Sequence, residues 1–313
     1  MTITSDRLIE GVNRRISNPQ SQGLLQDGDI LAFADDVIRG EIIPLMESAQ
    51  VDYFVERTSI PLVGGQSLYS IPYRSIARGL REIKLSDNSE QFVRNLPLID
   101  IANAYLYYQW ATIVGFYFEG DRIRLVPEVP DPLATDQKLL IWYRLPPNNL
   151  VPESEVSQVI SIAGDVVTVS NIPDQMVATS RVDFIQAQSG SSIYAMDVEV
   201  QAVGAGTLTF ASGEVPSQLQ SGDYICLRGE SYVVNFLPNE SLPLLETLVC
   251  MRALTSISDY EGVKMIASVA DQEKANLLKI MEPRIDGEGK IIVNYNSLAR
   301  GYKMNNRAWL YGQ

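Results

Sequence analysis

Asp35 and Asp36, with Glu41 shortly after them, are the most evident group of carboxylates in the chain. Paired carboxylates can exchange protons with a substrate or hold a divalent cation. Neighbouring residues of a helix point about 100° apart, so Asp35 and Asp36 do not converge, and a solvated helix face is the expected reading. Asp27-Gly28-Asp29 opens like a calcium loop, but Ile38 stands where such a loop needs its final chelating Glu. Cys226 and Cys250 are the only cysteines and have no CxxC spacing. Zinc of the usual structural kind is thereby excluded, and two isolated buried thiols are expected ahead of a disulfide. Histidine is absent, which removes an imidazole base, the Ser-His-Asp and Cys-His nucleophile pairs and His-ligated zinc. Gly64-Gly65 and Gly204-Ala205-Gly206 lack the strand-to-helix setting of nucleotide loops and read as hairpin turns. Tyr105, Tyr107 and Tyr108 with Trp110 offer rings on which a sugar or base can stack. Core packing and a subunit interface are the favoured reading of that group.

These residues sit on elements that periodicity and turn chemistry outline. Leu8, Ile9, Val12 and Ile16 recur at helical spacing over Ser5 to Ile16, with Thr4 or Ser5 as N-cap and Asn18-Pro19 as the stop. A second helix follows Asp27-Gly28-Asp29, and Pro44 is expected to kink or end it. Val51 to Ile60 reads as a strand that turns at Gly64-Gly65 into a return strand, Ser67 to Ile71. Tyr73-Arg74 then enters a basic segment with Arg78 and Arg81. Leu98 to Tyr108 has a helical pattern. Thr112 to Glu119 and Arg122 to Val126 form a hairpin at Gly120-Asp121, and Lys138 to Leu145 is a further strand. From Val151 to about Asn235 short strands alternate with Gly, Pro and Ser turns, the signature of a small sandwich or barrel. Helices resume from Asn239 to Ile257, with Pro243 in the first turn, and from Val263 to Met281.

The chain has 313 residues, 46% hydrophobic and 20% charged, enough to bury a sizeable core. Its formal net charge of −13 argues against broad, charge-driven nucleic-acid binding. The N-terminus lacks the apolar stretch of a signal peptide, and no run is long enough to span a bilayer. Residues 290–313 reverse the sign: Lys290, Arg300, Lys303 and Arg307 occur without an acidic side chain, interleaved with Tyr295, Tyr302, Trp309 and Tyr311. Such a segment suits an extended arm anchored on an acidic neighbour through its aromatic residues.

The order of parts, with SLYSIPYRSIARGLREIKL near the hairpin and LPNESLPLLETL at the helical return, resembles the head-to-tail connector (adaptor) proteins of tailed bacteriophages. The resemblance covers residues 1–149 and 237–313, best over Leu68 to Leu80 and Leu237 to Leu248. It implies an α+β chain with a discontinuous helical-bundle core and β-hairpins (1–149 and 237–289), an inserted all-β sandwich or barrel (150–236) and an extended basic arm (290–313). It implies a virion protein of the neck, made in the host cytoplasm, without enzymatic activity, cofactor, metal or membrane contact. The implied assembly is a homo-oligomeric ring, typically of twelve, under the portal. It would contact tail-nozzle, tail-tube or fibre proteins and pass genomic DNA without sequence-specific contact. On this chain the portal-binding arm would use Lys290, Arg300, Tyr302, Lys303, Arg307, Trp309 and Tyr311. Gly64, Gly65, Tyr73, Arg74 and Arg78 would meet neighbouring subunits or the tail. An acidic lumen would repel phosphates and let DNA slide. The alternative is a tail- or fibre-associated protein whose β module binds carbohydrate or other tail proteins.

Overall fold

A computed structural model describes residues 3–16, 25–75, 79–90, 93–130, 137–187 and 192–282. Helix α1 (Ser5–Arg15) begins where the Thr4 hydroxyl accepts the Arg7 N–H at 3.3 Å, and it buries Leu8, Ile9 and Val12 as its spacing predicts. The expected stop at Asn18-Pro19 lies outside the described residues. Helix α2 (Asp27–Val37) starts with the Gln26 N–H donating to the Asp29 carboxylate at 3.0 Å, which satisfies one orphan donor of the chain end. Pro44 does not end this helical run. A π-helical turn, Ile38–Ile42, intervenes, with the Ile43 N–H donating to the Ile38 carbonyl, and α3 (Ile43–Ala49) continues. The wider turn resets the ladder so that Pro44 falls in the first turn of α3, where a missing N–H is tolerated.

Helices α4 (Leu242–Ser256) and α5 (Tyr260–Met281) return from the far end of the chain to the same core. Leu8, Val12, Ile30, Ile42 and Met46 pack in one cluster with Leu245, Val249, Ala270 and Leu277. Gly11 leaves room for the Glu246 carboxylate of α4: a Cβ there would stand 2.3 Å from Glu246 Oε1. Arg15 pairs with Glu246 at 2.8 Å, and Glu41 reaches Arg252 of α4 and Lys274 of α5, each at 3.5 Å. The helical core is therefore discontinuous in sequence and single in space, as expected.

Between the two helical blocks lie two bodies of strand. The first comprises β1 (Val55–Pro61), β2 (Leu68–Ser70), β3 (Leu80–Asp87), β4 (Val93–Asn95), β5 (Gly115–Glu119), β6 (Arg122–Val126) and β7 (Gln137–Arg144). A four-stranded sheet, β1-β7-β3-β4, faces a three-stranded one, β2-β6-β5, across a core that includes Leu62, Ile83, Leu139, Ile141, Phe116, Ile123 and Leu125. The β5–β6 hairpin turns at Gly120 (φ +64°) as the sequence indicates. The hairpin expected at Gly64-Gly65 does not form. β1 pairs with β7 and β2 with β6, so the Gly64-Gly65 turn carries the chain from one sheet to the other. Gly65 has φ +72° and donates its N–H to Val129 at 2.9 Å. The apolar faces of β1 and β2 meet across a shared interior instead of lying side by side.

The second body holds β8 (Asn149–Leu150), β9 (Ser157–Ala163), β10 (Val166–Val169), β11 (Arg181–Ile185), β12 (Ile193–Glu199), β13 (Ala202–Gly204), β14 (Thr207–Thr209), β15 (Tyr224–Leu227) and β16 (Glu230–Ser231). Seven of these make one sheet in the order β12-β11-β15-β9-β10-β14-β13, while β8 and β16 form a short parallel pair. The seven-stranded sheet curls over its own core, in which Phe184 and Phe210 lie 5.0 Å apart by ring centroid. It is not a closed barrel. Its two border strands are nevertheless consecutive: Val200 still bonds to Ser180 beside β11, and Gln201 already bonds to Thr209 of β14. The strand content expected from Val151 onward is present, in an α+β chain with five α-helices among the described residues. Met1–Met281 forms one compact unit.

Candidate functional surfaces

Arg74 is turned into the fold. Its Nη1 lies 2.6 Å from Asp183 Oδ2, with the two side chains only 10% and 0% exposed, and its Nη2 donates to Asn148 Oδ1. Asp183, on β11, also accepts from Asn148 Nδ2 at 3.1 Å and from the N–H groups of Gly229 and Asp197, each at 3.0 Å. Asn148 completes the network through its own N–H to Asn235 Oδ1 and its amide to the Glu230 carbonyl. A buried charge pair of this kind requires hydrogen bonds to its remaining polar atoms, and here the backbone supplies them. Arg74 therefore fastens the loop after β2 to the second strand body, and its guanidinium faces internal partners rather than a neighbouring molecule.

Tyr73, beside it, is 79% exposed, with the Arg228 guanidinium 4.0 Å from its ring centroid. Arg228 is in turn held by Asp197 at 2.5 Å. Arg39, Tyr73, Pro146, Pro147 and Arg228 line a shallow cleft of about 260 Å³. Gly65 is exposed at its sheet-to-sheet crossing and Gly64 partly so. Arg78 and the arm residues Lys290, Arg300, Tyr302, Lys303, Arg307, Trp309 and Tyr311 lie outside the described residues.

The carboxylates suggested by sequence are dispersed to structural tasks. Asp35 accepts the Leu150 N–H at 3.0 Å and so ties α2 to β8. Glu41 serves the helical core, and Asp36 is exposed. Partial burial outweighs this hydrogen bond and the attraction of Arg39, and it raises the Asp35 pKa from its ordinary 3.8 to about 6. The folded state thus holds the proton more tightly than the unfolded chain, so stability contributed here falls as pH rises from about 4 through 6. Asp35→Asn is expected to remove that slope and to raise stability at pH 7.5 by about 1 kcal/mol, allowing for partial solvent contact. Urea midpoints of both proteins at pH 4.5 and 7.5 check this; an equal midpoint difference at the two pH values would refute it.

Cys226 and Cys250 are both free and buried. Burial pushes both thiols up, that of Cys250 to about 12, so neither is a ready nucleophile at neutral pH. Among the described residues no group of three metal-ligating side chains occurs, and no helix is long and apolar enough to cross a membrane.

Of the favoured reading of the tyrosine-rich segment, core packing and a subunit interface, the core packing is not what the structure shows. A 3₁₀-helix, Ile101–Tyr107, replaces the expected α-helix, started by the Asp100 carboxylate accepting the Ala102 N–H. It buries Ala104 only. Leu98, Ile101, Tyr105, Leu106, Tyr108 and Trp110 are all more than half exposed. The support beneath them is firm. Ile99 donates to Phe116, and Phe116 to Pro97, at 2.7 and 3.0 Å. A Cβ on Gly115 would stand 2.4 Å from the Pro97 carbonyl oxygen, so only glycine lets the segment seat on β5. Tyr107 meets Trp110 edge-on at 5.9 Å, and Tyr108 hydrogen-bonds Tyr117, whose phenol burial and that bond push up. The signal available in the sequence was the absence of any charged residue from Ile101 to Phe118.

No protein-family model matches the chain, and no curated protein matches it.

Proposed function

We propose that this chain is a structural head-to-tail adaptor of a tailed phage. In this reading it forms a ring under the portal, joins capsid to tail and lines the DNA passage by protein contacts alone. The observation that carries the reading is the helical body built from both ends of the chain, α1–α3 with α4–α5, around a β excursion. That is the arrangement the resemblance implies for a connector core. The separate structural engagements of Asp35 and Glu41 support a mechanical rather than chemical role. The segment 290–313, with its four cations and four aromatic rings, is assigned to the portal as an anchoring arm.

Electron microscopy of the purified protein, alone and mixed with portal, tests the assignment. Rings that cap the portal are expected from the full chain. A chain ending at Gly289 is expected to fold, because the helical core lies upstream, and to leave the portal bare. Docking by the shortened chain would remove the arm assignment. A trimer that ignores portal and binds glycan would favour a fibre-associated role instead.

A further inference from the structure

The first strand body has a sheet border that is unpaired among the described residues. β1 borders the four-stranded sheet and β2 the three-stranded one, and the Gly64-Gly65 crossing joins them, so both borders lie on one side of the sandwich. Two bonds fix which way the β1 backbone points. Leu62 donates its N–H to the Gln137 carbonyl at 3.2 Å, and Leu145 donates to the Phe54 carbonyl at 2.9 Å. Both fall in the register that pairs Thr58 with Ile141, so even-numbered residues of β1 bond to β7 and odd-numbered ones turn their N–H and C=O groups outward. Among the described residues no hydrogen bond reaches the N–H groups of Arg57 and Ser59, or the carbonyls of Val55, Arg57, Ser59 and Pro61. Glu56, Arg57, Ser59 and Pro61 are exposed, so this border faces solvent. Its ends are marked by Pro61, which has no N–H, and by Val55, whose N–H the Asp52 carbonyl already accepts at 3.3 Å. The β2 border is better closed, since the Gln66 amide donates to the Leu68 carbonyl at 2.7 Å.

Beside this border lies a groove of about 390 Å³ between β1 and the segment that follows β2. Thr58, Ile60, Ser70, Ile71, Tyr143 and Met196 give it an apolar and hydroxyl lining. Its two charged members are already paired, Arg74 with Asp183 and Asp197 with Arg228. Glu56 shares the face of Thr58 and Ile60 by strand alternation. It is exposed and makes no ion pair among the described residues.

We propose that the β1 border is a docking edge for an extended, basic segment of a partner protein, which adds a fifth strand to the β1-β7-β3-β4 sheet. The border specifies that segment. Its main chain supplies N–H groups to the unpaired carbonyls and accepts from Arg57 and Ser59. Apolar or hydroxyl side chains at alternate positions enter the groove, and a cation, with no carboxylate, stands beside Glu56. A second copy's β1 fits this poorly, because Pro61 has no N–H to give and another Glu56 would be carried to the groove. Main-chain bonds make the attachment, while the groove and Glu56 select the partner. The edge is distinct from residues 290–313, which are assigned to the portal.

Amide hydrogen exchange on the full chain tests this, with three blocked synthetic peptides as probes. One alternates valine and threonine between terminal lysines. The second has glutamates in place of the lysines, and the third is the lysine peptide with its backbone nitrogens methylated. The lysine peptide is expected to slow exchange at Arg57 and Ser59 by at least about tenfold at saturation, and the glutamate form to bind at least about tenfold more weakly. The methylated peptide has no N–H to donate and should not bind. Ser59→Pro removes an outward N–H that no internal bond uses and should abolish binding, whereas Ser59→Ala should bind as the wild type does. If Ser59→Pro loses its circular dichroism, the methylated peptide still separates main-chain pairing from side-chain adhesion. No binding of the lysine peptide, equal binding of the glutamate or methylated form, or full binding by a folded Ser59→Pro would each overturn the proposal. So would slow exchange at Arg57 and Ser59 in the chain alone, which would show the edge covered by this chain or a second copy.

Discussion

Asp183→Ala is expected to lower stability by about 3–5 kcal/mol, read as a drop in the urea midpoint. The carboxylate is fully buried and accepts from Arg74, Asn148 and two backbone N–H groups. Removing it leaves the Arg74 guanidinium, 10% exposed, without a counter-charge, and strands the amides of Gly229 and Asp197. The pair itself is not the source of that loss. An uncompensated buried cation is what costs, so adding Arg74→Met to Asp183→Leu should recover part of the stability. A loss below about 1 kcal/mol for Asp183→Ala would mean that water already reaches the pair.

The second large effect belongs to Phe184→Ala, also expected to cost about 3–5 kcal/mol. Phe184 is completely buried and packs on Phe210 in the core of the curled sheet. Because Met1–Met281 is one compact unit, helix and strand signals should fall together in a single, earlier transition. A separate early loss of strand signal, with the helices intact, would show that the seven-stranded sheet unfolds by itself.

What could be read from the sequence follows the range over which each interaction acts. Helices α1, α2, α4 and α5 were legible because their apolar residues recur every three or four positions, and the β5–β6 hairpin because Gly120-Asp121 announces its turn. The first sandwich was not, because β1 pairs with β7 at Thr58↔Ile141, far along the chain, while Gly64-Gly65 suggests a local partner. Pro44 sits inside a continuing helical run for a related reason: the turn that accommodates it is a change of hydrogen-bond ladder, which composition does not signal. Arg74 looked like part of a surface basic run with Arg78 and Arg81, whereas its partner is Asp183 on another strand body. The aromatic segment had its chemistry in plain view. Its exposure depended on Gly115 and Pro97, whose close approach no local pattern reveals.

The two-ended helical body also sets a timetable for biosynthesis. Ile30, Ile42 and Met46 leave the ribosome about 200–220 residues before Leu245 and Val249 arrive to cover them. At translation speeds of about 5–20 residues per second, the nascent α1–α3 segment waits on the order of 10–40 s with its greasy side uncovered. The intervening strand bodies can close locally as they emerge. The earliest helices of this chain are thus its last to be sheltered, and they are the part most in need of a chaperone.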